Sequence, residues 1–170
     1  MKLWEPSADQ IKDAQITAFI KRIEQQFSLQ FDDFQSFYDW TIREPDHFWE
    51  ALWDFCGIIS SEPYSRVLEK GGEMVEAKWF PEARLNFAEN LLRYNDQQTA
   101  IVFWGEDKAR QTLSYAQLHQ KVAWLAKALK DMGVGIGDRV VGMLPNMPEA
   151  VVAMLATSSL GAVWSSCSPD

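Results

Sequence analysis

Close to its carboxyl-terminal end the sequence gathers Ser165, Ser166, Cys167, Ser168, Pro169 and Asp170, a run of hydroxyls, a thiol, a rigid turn residue and a carboxylate. Hydroxyls and a carboxylate at this density suit hydrogen bonding to a polar ligand, and a thiol suits nucleophilic attack. Cys167 is open to two readings, a nucleophile or a small buried residue beside a ligand channel. The second is preferred, because no base or thiolate-stabilising cation stands beside it in sequence. The run follows AVWSS (162–166), which reads as an extended strand, so these groups belong at a strand's carboxyl end. That is where open α/β sheets bind ligands. The run therefore marks a location without naming a reaction.

Other residues that could do chemistry have duller readings. Gly133, Gly135 and Gly137 resemble a nucleotide loop in composition, but such a loop follows a strand and opens a helix, whereas here the glycines end a helix and lead into a strand. They are expected to be turn residues. The sequence holds no GxxxxGK[ST], HExxH or GxSxG pattern. His47 and His119 have no carboxylate or second histidine at ligand spacing and read as structural or exposed. Asp32-Asp33 and Glu106-Asp107 read as solvated charges, and the tryptophans as core anchors rather than interface anchors.

The elements that must position the terminal cluster can be read backwards from it. RVVGML (139–144), opened by Gly137-Asp138 and closed by Pro145, is expected to be a strand buried on both faces. Pro148 suits a first helical turn, Glu149 faces the positive helix end, and residues 150–160 are helix-compatible up to a left-handed stop at Gly161. Two strands joined by a crossover helix should lie parallel. Upstream, residues 99–104 and 110–113 predict an antiparallel hairpin around a turn at 105–109. Ser114 with Gln117 forms a capping box for a helix carrying Leu118, Val122, Leu125, Leu129 and Met132.

The first half reads as helical. Ser7 with Gln10 caps a helix bearing Ile16, Phe19, Ile20, Ile23 and Phe27. Residues 31–40 predict a second helix with Phe34, Phe37, Tyr38 and Trp40 on one face. Pro45 opens a third, mostly covered, that ends at Gly57. Residues 58–76 are irregular, with a turn at Gly71-Gly72, and Asn86 with Glu89 forms an N-cap box for a short helix ending near Leu92. A boundary is expected between residues 95 and 98. The fold class is α/β: a helical segment over 1–95, then a hairpin, helix and parallel strand-helix-strand unit over 96–170.

Composition narrows the partners. The chain has 170 residues, 47% hydrophobic, with eight tryptophans, which suits a folded core and not a disordered tract. Its net charge is −8, with 10 basic and 17 acidic residues up to position 95 and 6 against 7 beyond it. An acidic chain does not suit nonspecific contact with nucleic acid or anionic membranes. Cys56 and Cys167 form no framework, and the amino terminus lacks a signal-type apolar core. The expectation is a cytoplasmic protein with reduced thiols, no membrane span and no nucleic-acid partner.

Several segments in order resemble the acyl-CoA synthetases of the adenylate-forming superfamily, and the likeness covers the whole chain. TLSYAQL (112–118) is similar to the family's first core motif. GVGIGDRVVGMLPNMPEAVVAMLATSSLGAVWSSCSPD (133–170) is similar to the stretch that follows, and WFPEARLNFAENLL (79–92) to the signature ahead of the adenylation domain. The acidic, Trp-rich first half resembles the family's N-terminal extension. Acetate-activating members carry His after "GAV" and then Gly-Gly-Phe-Ser-Pro, whereas this sequence has Trp164 and SSCSPD, a departure that resembles the acetoacetate-activating branch.

The resemblance implies the N-terminal portion of a ligase that adenylates a carboxylate with ATP and Mg²⁺ and then transfers the acyl group to CoA. It implies Trp164 as a substrate-binding residue, and Ser166, Ser168, Pro169 and Asp170 along the CoA path, although the glycines usual there are replaced. The family's phosphate loop, ribose-binding aspartate, hinge and lysine-bearing C-terminal domain are implied beyond Asp170. No catalytic residue or metal ligand is therefore expected among these 170, and no bound cofactor. The isolated chain is expected to be inactive and to self-associate through uncovered apolar surface. Two rival readings are an acetyl- or propionyl-CoA synthetase and a non-enzymatic binding module of the same architecture.

Overall fold

A computed structural model describes residues 3–69, 74–106 and 109–169 of the protein. The chain divides into two compact units, Met1–Ile58 with Pro63–Ala83, and Ile59–Glu62 with Arg84–Asp170.

The first unit is built on α1 (Ala8–Asp13), α2 (Gln15–Phe27), α3 (Phe34–Arg43) and α4 (Pro45–Cys56). The Ser7–Gln10 capping box forms as expected. The single helix expected beyond it is two, broken at Ala14, which is extended at φ −67° and ψ 137°. The Thr17 hydroxyl donates to the Ile11 carbonyl at 2.6 Å, a side-chain bond that competes with the helical ladder at the break. Asp33, read as a solvated charge, is the N-cap of α3: its carboxylate accepts from the Ser36 N–H at 2.8 Å, and the Ser36 hydroxyl accepts from the Asp33 N–H at 3.2 Å. The expected shared face of α3 is also corrected. Phe37 and Trp40 are buried while Phe34 and Tyr38 are exposed, since at about 100° per residue the two pairs are centred roughly 110° apart around the helix and only the first faces the core.

Phe19, Ile23, Phe37, Trp40 and Ala51 form this unit's core, flanked by Phe27, Phe31, Phe48 and Phe55. Phe19 meets Phe37 edge-on at 6.5 Å and Phe55 at 5.0 Å. Such ring pairs contribute about 1 kcal/mol each beyond their burial. α4 begins at Pro45 and ends at Gly57 with φ 59°, as expected, but Ala51 is its one fully buried residue and Trp49 is exposed. Its aromatics reach the segment that follows, Trp49 meeting Trp79, and Trp53 meeting Tyr64 and Phe80. That segment is less irregular than expected, because β1 (Leu68–Glu69) and β2 (Lys78–Trp79) pair antiparallel around a short 3₁₀ turn (Met74–Glu76). The turn expected at Gly71-Gly72 lies outside the described residues.

The second unit contains α5 (Phe87–Leu91), the antiparallel hairpin β3 (Thr99–Trp104) and β4 (Arg110–Ser114), α6 (Tyr115–Asp131), β5 (Arg139–Met143), α7 (Pro148–Ser159) and β6 (Val163–Cys167). Ser114 and Gln117 make the reciprocal capping box of α6. Strands β5 and β6 pair parallel, Val140 beside Trp164 and Gly142 beside Ser166, so the expected strand-helix-strand unit is observed. Ala88, Leu118, Val122, Val152, Leu155 and Ala156 form the core between the three helices.

Strand β5 is not buried on both faces. Val141 and Met143 are each 69% exposed, because β5 and β6 form a sheet of only two strands and nothing among the described residues covers the face they share with Val163. Gly133, Gly137 and Gly161 adopt positive φ and are turn residues. The tryptophan expectation fails broadly. Trp40 is buried, but Trp4, Trp49, Trp79, Trp104 and Trp124 are exposed. Trp104 instead carries the Arg110 guanidinium over its ring at 4.5 Å, a cation–π contact along the hairpin.

Candidate functional site

The strand ends where a ligand was expected can now be placed. β5 and β6 stay in register to their carboxyl ends, and the Leu144 N–H donates to the Cys167 carbonyl at 3.3 Å, which keeps the two exits side by side. Ser165, Ser166, Cys167, Ser168 and Pro169 are all exposed there, and Asp170 lies outside the described residues. Alternation places Ser165 and Ser166 on opposite faces of the two-stranded sheet, and both are exposed, as is Ser168 just beyond the strand. Cys167 is a free, exposed cysteine, not the small buried residue expected, because β6 leaves its Cys167 face uncovered.

Trp164 is half-buried and shares a sheet face with Val140, Gly142 and Ser166. Its indole lies along the sheet over Gly142. A Cβ at position 142 would stand 2.5 Å from Trp164 Cη2, 3.0 Å from Cζ2 and 3.2 Å from Leu144 Cδ1. The ring's far edge is therefore directed toward the strands' carboxyl ends.

Beside these exits, Asn146 and Met147 join Pro148, Val151 and β3 residues Ile101 to Trp104 around a groove of about 280 Å³. Asn146 follows the end of β5, and its sharing a groove with β3 was not legible in the sequence, since only the fold brings the hairpin there. A second hollow of about 560 Å³ is lined by Ile59, Asn86, Glu89, Leu92, Arg93, His119 and Ser159. His119 is exposed on its rim. His47 is also exposed, but its Nδ1 lies 3.5 Å from Glu44 Oε2, so the expectation that no carboxylate stands near it is corrected. A pair separated by three residues on a helix surface forms through helical periodicity. Among the described residues no three metal-ligating side chains gather at one place, and no helix is long and apolar enough to cross a membrane.

Two asparagines hold this unit's loops. Asn86 accepts from the Glu89 N–H at 3.1 Å through its carbonyl, while its amide donates to the Ser158 carbonyl at 3.0 Å. It satisfies an orphan donor of α5 and adds a second bond to the Ser158 carbonyl at the end of α7, which also accepts from the Gly161 N–H at 3.0 Å. The return bond from Glu89 that a full capping box needs is not formed. Asn90 donates to the Ile59 and Asn86 carbonyls at 2.9 and 3.0 Å and accepts from the Ile59 N–H and Arg93 Nη2 at 2.9 and 3.1 Å. Its amide engages Ile59 as a neighbouring strand would.

Among the described residues two titrating groups depart from their ordinary values, both in the first unit. The Asp33 carboxyl is lowered, chiefly by the Ser36 backbone N–H and then by its hydroxyl. The Tyr64 phenol is raised, first by burial and then by the carboxylates of Glu50 and Asp54. Neither lies at the strand ends.

Comparison with known proteins gives these elements their class. The family described as "AMP-binding enzyme" matches residues 87–170, and "Acetyl-coenzyme A synthetase N-terminus" matches residues 34–91. The two matches together run from residue 34 to residue 170, so the chain is similar to AMP-binding enzymes over its second half and to the acetyl-coenzyme A synthetase N-terminus ahead of it. Along its whole length the chain is similar to acetoacetyl-CoA synthetases. It is 45% identical to the Rhizobium meliloti (strain 1021) protein over 99% of this chain and 26% of that one, and 37% identical to the Danio rerio protein over 99% and 25%. The solved acetoacetyl-CoA synthetase from Streptomyces lividans superposes with a TM-score of 0.89 at 39% identity, covering 100% of this chain and 27% of that one. A malonamoyl-CoA synthetase from Penicillium aethiopicum is 34% identical over 99% of this chain and 24% of its own length. The chain thus spans about a quarter of the length of the relatives it matches.

Proposed function

We propose that this chain is the N-terminal part of an AMP-forming acid–thiol ligase that converts ATP, acetoacetate and CoA into acetoacetyl-CoA, AMP and pyrophosphate. The observation that carries the reading is the whole-chain similarity to acetoacetyl-CoA synthetases, at sequence and structure level together. In the first half-reaction the carboxylate oxygen attacks the α-phosphorus and pyrophosphate leaves. In the second the CoA thiol attacks the acyl carbon, AMP leaves, and the thiol proton passes to solvent. Residues 1–95 serve as the helical extension and residues 96–170 as the start of the adenylation domain.

In this reading Trp164 borders the acyl site, and Ser166, Ser168, Pro169 and Asp170 border the CoA path, where exposed hydroxyls suit a polar pantetheine chain. Phosphate clamping, with Mg²⁺ to offset the charge, belongs to residues outside this chain, so no side chain here is assigned to catalysis or to the metal. The enzyme is cytoplasmic and binds neither nucleic acid nor membrane. The test is pyrophosphate release by the full-length enzyme. Acetoacetate is expected to exceed acetate and propionate in kcat/KM, and a preference for acetate would overturn the acyl assignment in favour of an acetyl-CoA synthetase.

Two further expectations concern the 170-residue chain alone. It gives no ATP/pyrophosphate exchange, and measurable exchange would refute that. It also self-associates through the face bearing Val141, Met143 and Val163. Light scattering that finds a monomer at high concentration would count against this.

A further inference from the structure

Glycine inside a strand costs about 0.5–1 kcal/mol relative to alanine, through backbone entropy and lost packing. Where one occurs it needs a cause. Gly57, Gly133, Gly137 and Gly161 have theirs in positive φ, but Gly142 sits in β5 without one. Its cause is space. Trp164 is in register with Val140, one pleat back, and its indole extends along the sheet to lie where a side chain at 142 would stand. The contacts there belong to the ring's far atoms Cη2 and Cζ2, with Leu144 Cδ1 closing the other side.

We propose that Gly142 is the positioning residue for Trp164: the missing side chain lets the indole lie flat across β5 and direct its far edge to the strands' carboxyl ends, which fixes how deep the acyl pocket is. The inference rests on the assignment of Trp164 to the acyl site. It also deepens it, because an apolar ring edge at a fixed depth beside the Ser166 hydroxyl suits a short carboxylate with a carbonyl at its third carbon. The acetoacetyl- and malonamoyl-CoA synthetases named above share that substrate geometry, a carbonyl two bonds from the carboxyl carbon. Acetate has no group to reach the ring.

A methyl at position 142 would displace the ring. Carbon atoms settle at about 3.5 Å or beyond, so a contact of 2.5 Å requires a shift of roughly 1 Å at the ring edge. A 1 Å misplacement of a positioning group can cost on the order of 10²-fold in rate. The clash falls on a side chain and not on backbone, so the sheet itself should accommodate Gly142→Ala.

The test is a double-mutant cycle in the full-length enzyme with Gly142→Ala, Trp164→Phe and the pair, assayed by pyrophosphate release with acetoacetate and with acetate. Gly142→Ala is expected to lower kcat/KM for acetoacetate by at least about tenfold and to leave acetate within about twofold. In the Trp164→Phe background, where the shorter ring clears position 142, the same substitution is expected to change neither substrate. Equal losses on both substrates, or the same acetoacetate loss with and without the indole, would overturn the inference alone. A wild-type enzyme without acetoacetate activity would overturn the acyl assignment and, with it, the selectivity part of this inference.

Position of the ring is read separately in the 170-residue chain labelled with 5-fluorotryptophan. The Trp164 fluorine resonance, assigned by its loss in Trp164→Phe, is expected to shift in Gly142→Ala while the other seven stay in place. An unmoved Trp164 resonance would overturn the packing argument. Should Gly142→Ala fail to fold, the pair with Trp164→Phe is expected to restore folding, and failure to do so would equally refute it.

Discussion

Asn90 makes the sharpest prediction about stability, because a single half-buried amide satisfies Ile59 in both directions and also bonds Asn86 and Arg93. Each such bond contributes about 0.5–1.5 kcal/mol net, and a group left unpaired near the surface recovers part of that from water. Ile59 is 37% exposed, so its backbone can rehydrate once the amide is gone. Asn90→Ala is therefore expected to destabilise the second unit by about 2 kcal/mol, toward the low end of four bonds summed. Asn90→Asp is the more telling change. It keeps the acceptor for the Ile59 N–H and for Arg93, but turns the donor toward the Ile59 and Asn86 carbonyls into a second oxygen. Its cost should fall within about 1 kcal/mol of the alanine variant despite near-identical shape. Urea unfolding of the purified chain gives the two values, and hydrogen exchange at the Ile59 amide reports the bond directly. Protection at Ile59 should fall in Asn90→Ala and survive in Asn90→Asp. An aspartate variant as stable as the wild type would refute the reasoning, since it would show that the donated bonds hold nothing.

Three other outcomes follow from single positions. Gly161 stands at φ 71° with Ile136 Cγ1 3.1 Å from where a Cβ would be, so Gly161→Ala should cost about 1–2 kcal/mol in thermal unfolding. The Thr157 hydroxyl is fully buried and has no hydrogen-bond partner among the described residues, so Thr157→Val should leave stability unchanged or raise it by about 1 kcal/mol in the same assay. The Asp33 carboxyl is held below its ordinary value of 3.8 by bonds from Ser36. A lowered folded value means that its contribution is present above the unfolded value and lost as pH falls through the folded one. The Ser36 amide resonance should therefore titrate below the ordinary aspartate range, and Asp33→Asn should abolish that titration.

Much of the second unit was legible because its local signals agree. Ser114 with Gln117, Pro148, Gly161 and the two β-branched runs each specify the same neighbours that the tertiary packing then uses. Burial was less legible, since periodicity tells which residues share a face but not whether anything covers it. Val141 and Met143 read as core and stand exposed, because nothing among the described residues covers that face of the two-stranded sheet. The break at Ala14 escaped for a related reason. Nothing in the apolar stripe of α2 announces that the Thr17 hydroxyl will capture the Ile11 carbonyl. Asp33 was legible in principle, as an aspartate three residues ahead of Ser36, but the box partner there is a serine where Glu or Gln is usual.

The candidate site was legible as a place and not as a mechanism. Ser166 lies in β6 and Ser168 and Pro169 follow it, all exposed, yet Trp164 acquires meaning only beside Gly142, a residue whose relevance no periodicity reveals. The two asparagines of LNFAEN make the same point. Helical spacing allowed Asn86 to be read as a cap, but the second use of each amide, toward Ser158 and toward Ile59, joins segments 72 and 31 residues apart. Between such segments no strand ladder or helix runs, so side-chain amides supply the donors and acceptors that backbone supplies elsewhere. The side-chain amides of Asn86 and Asn90 therefore serve the architecture of this unit, holding the ends of α5 and α7 and the Ile59 segment in place.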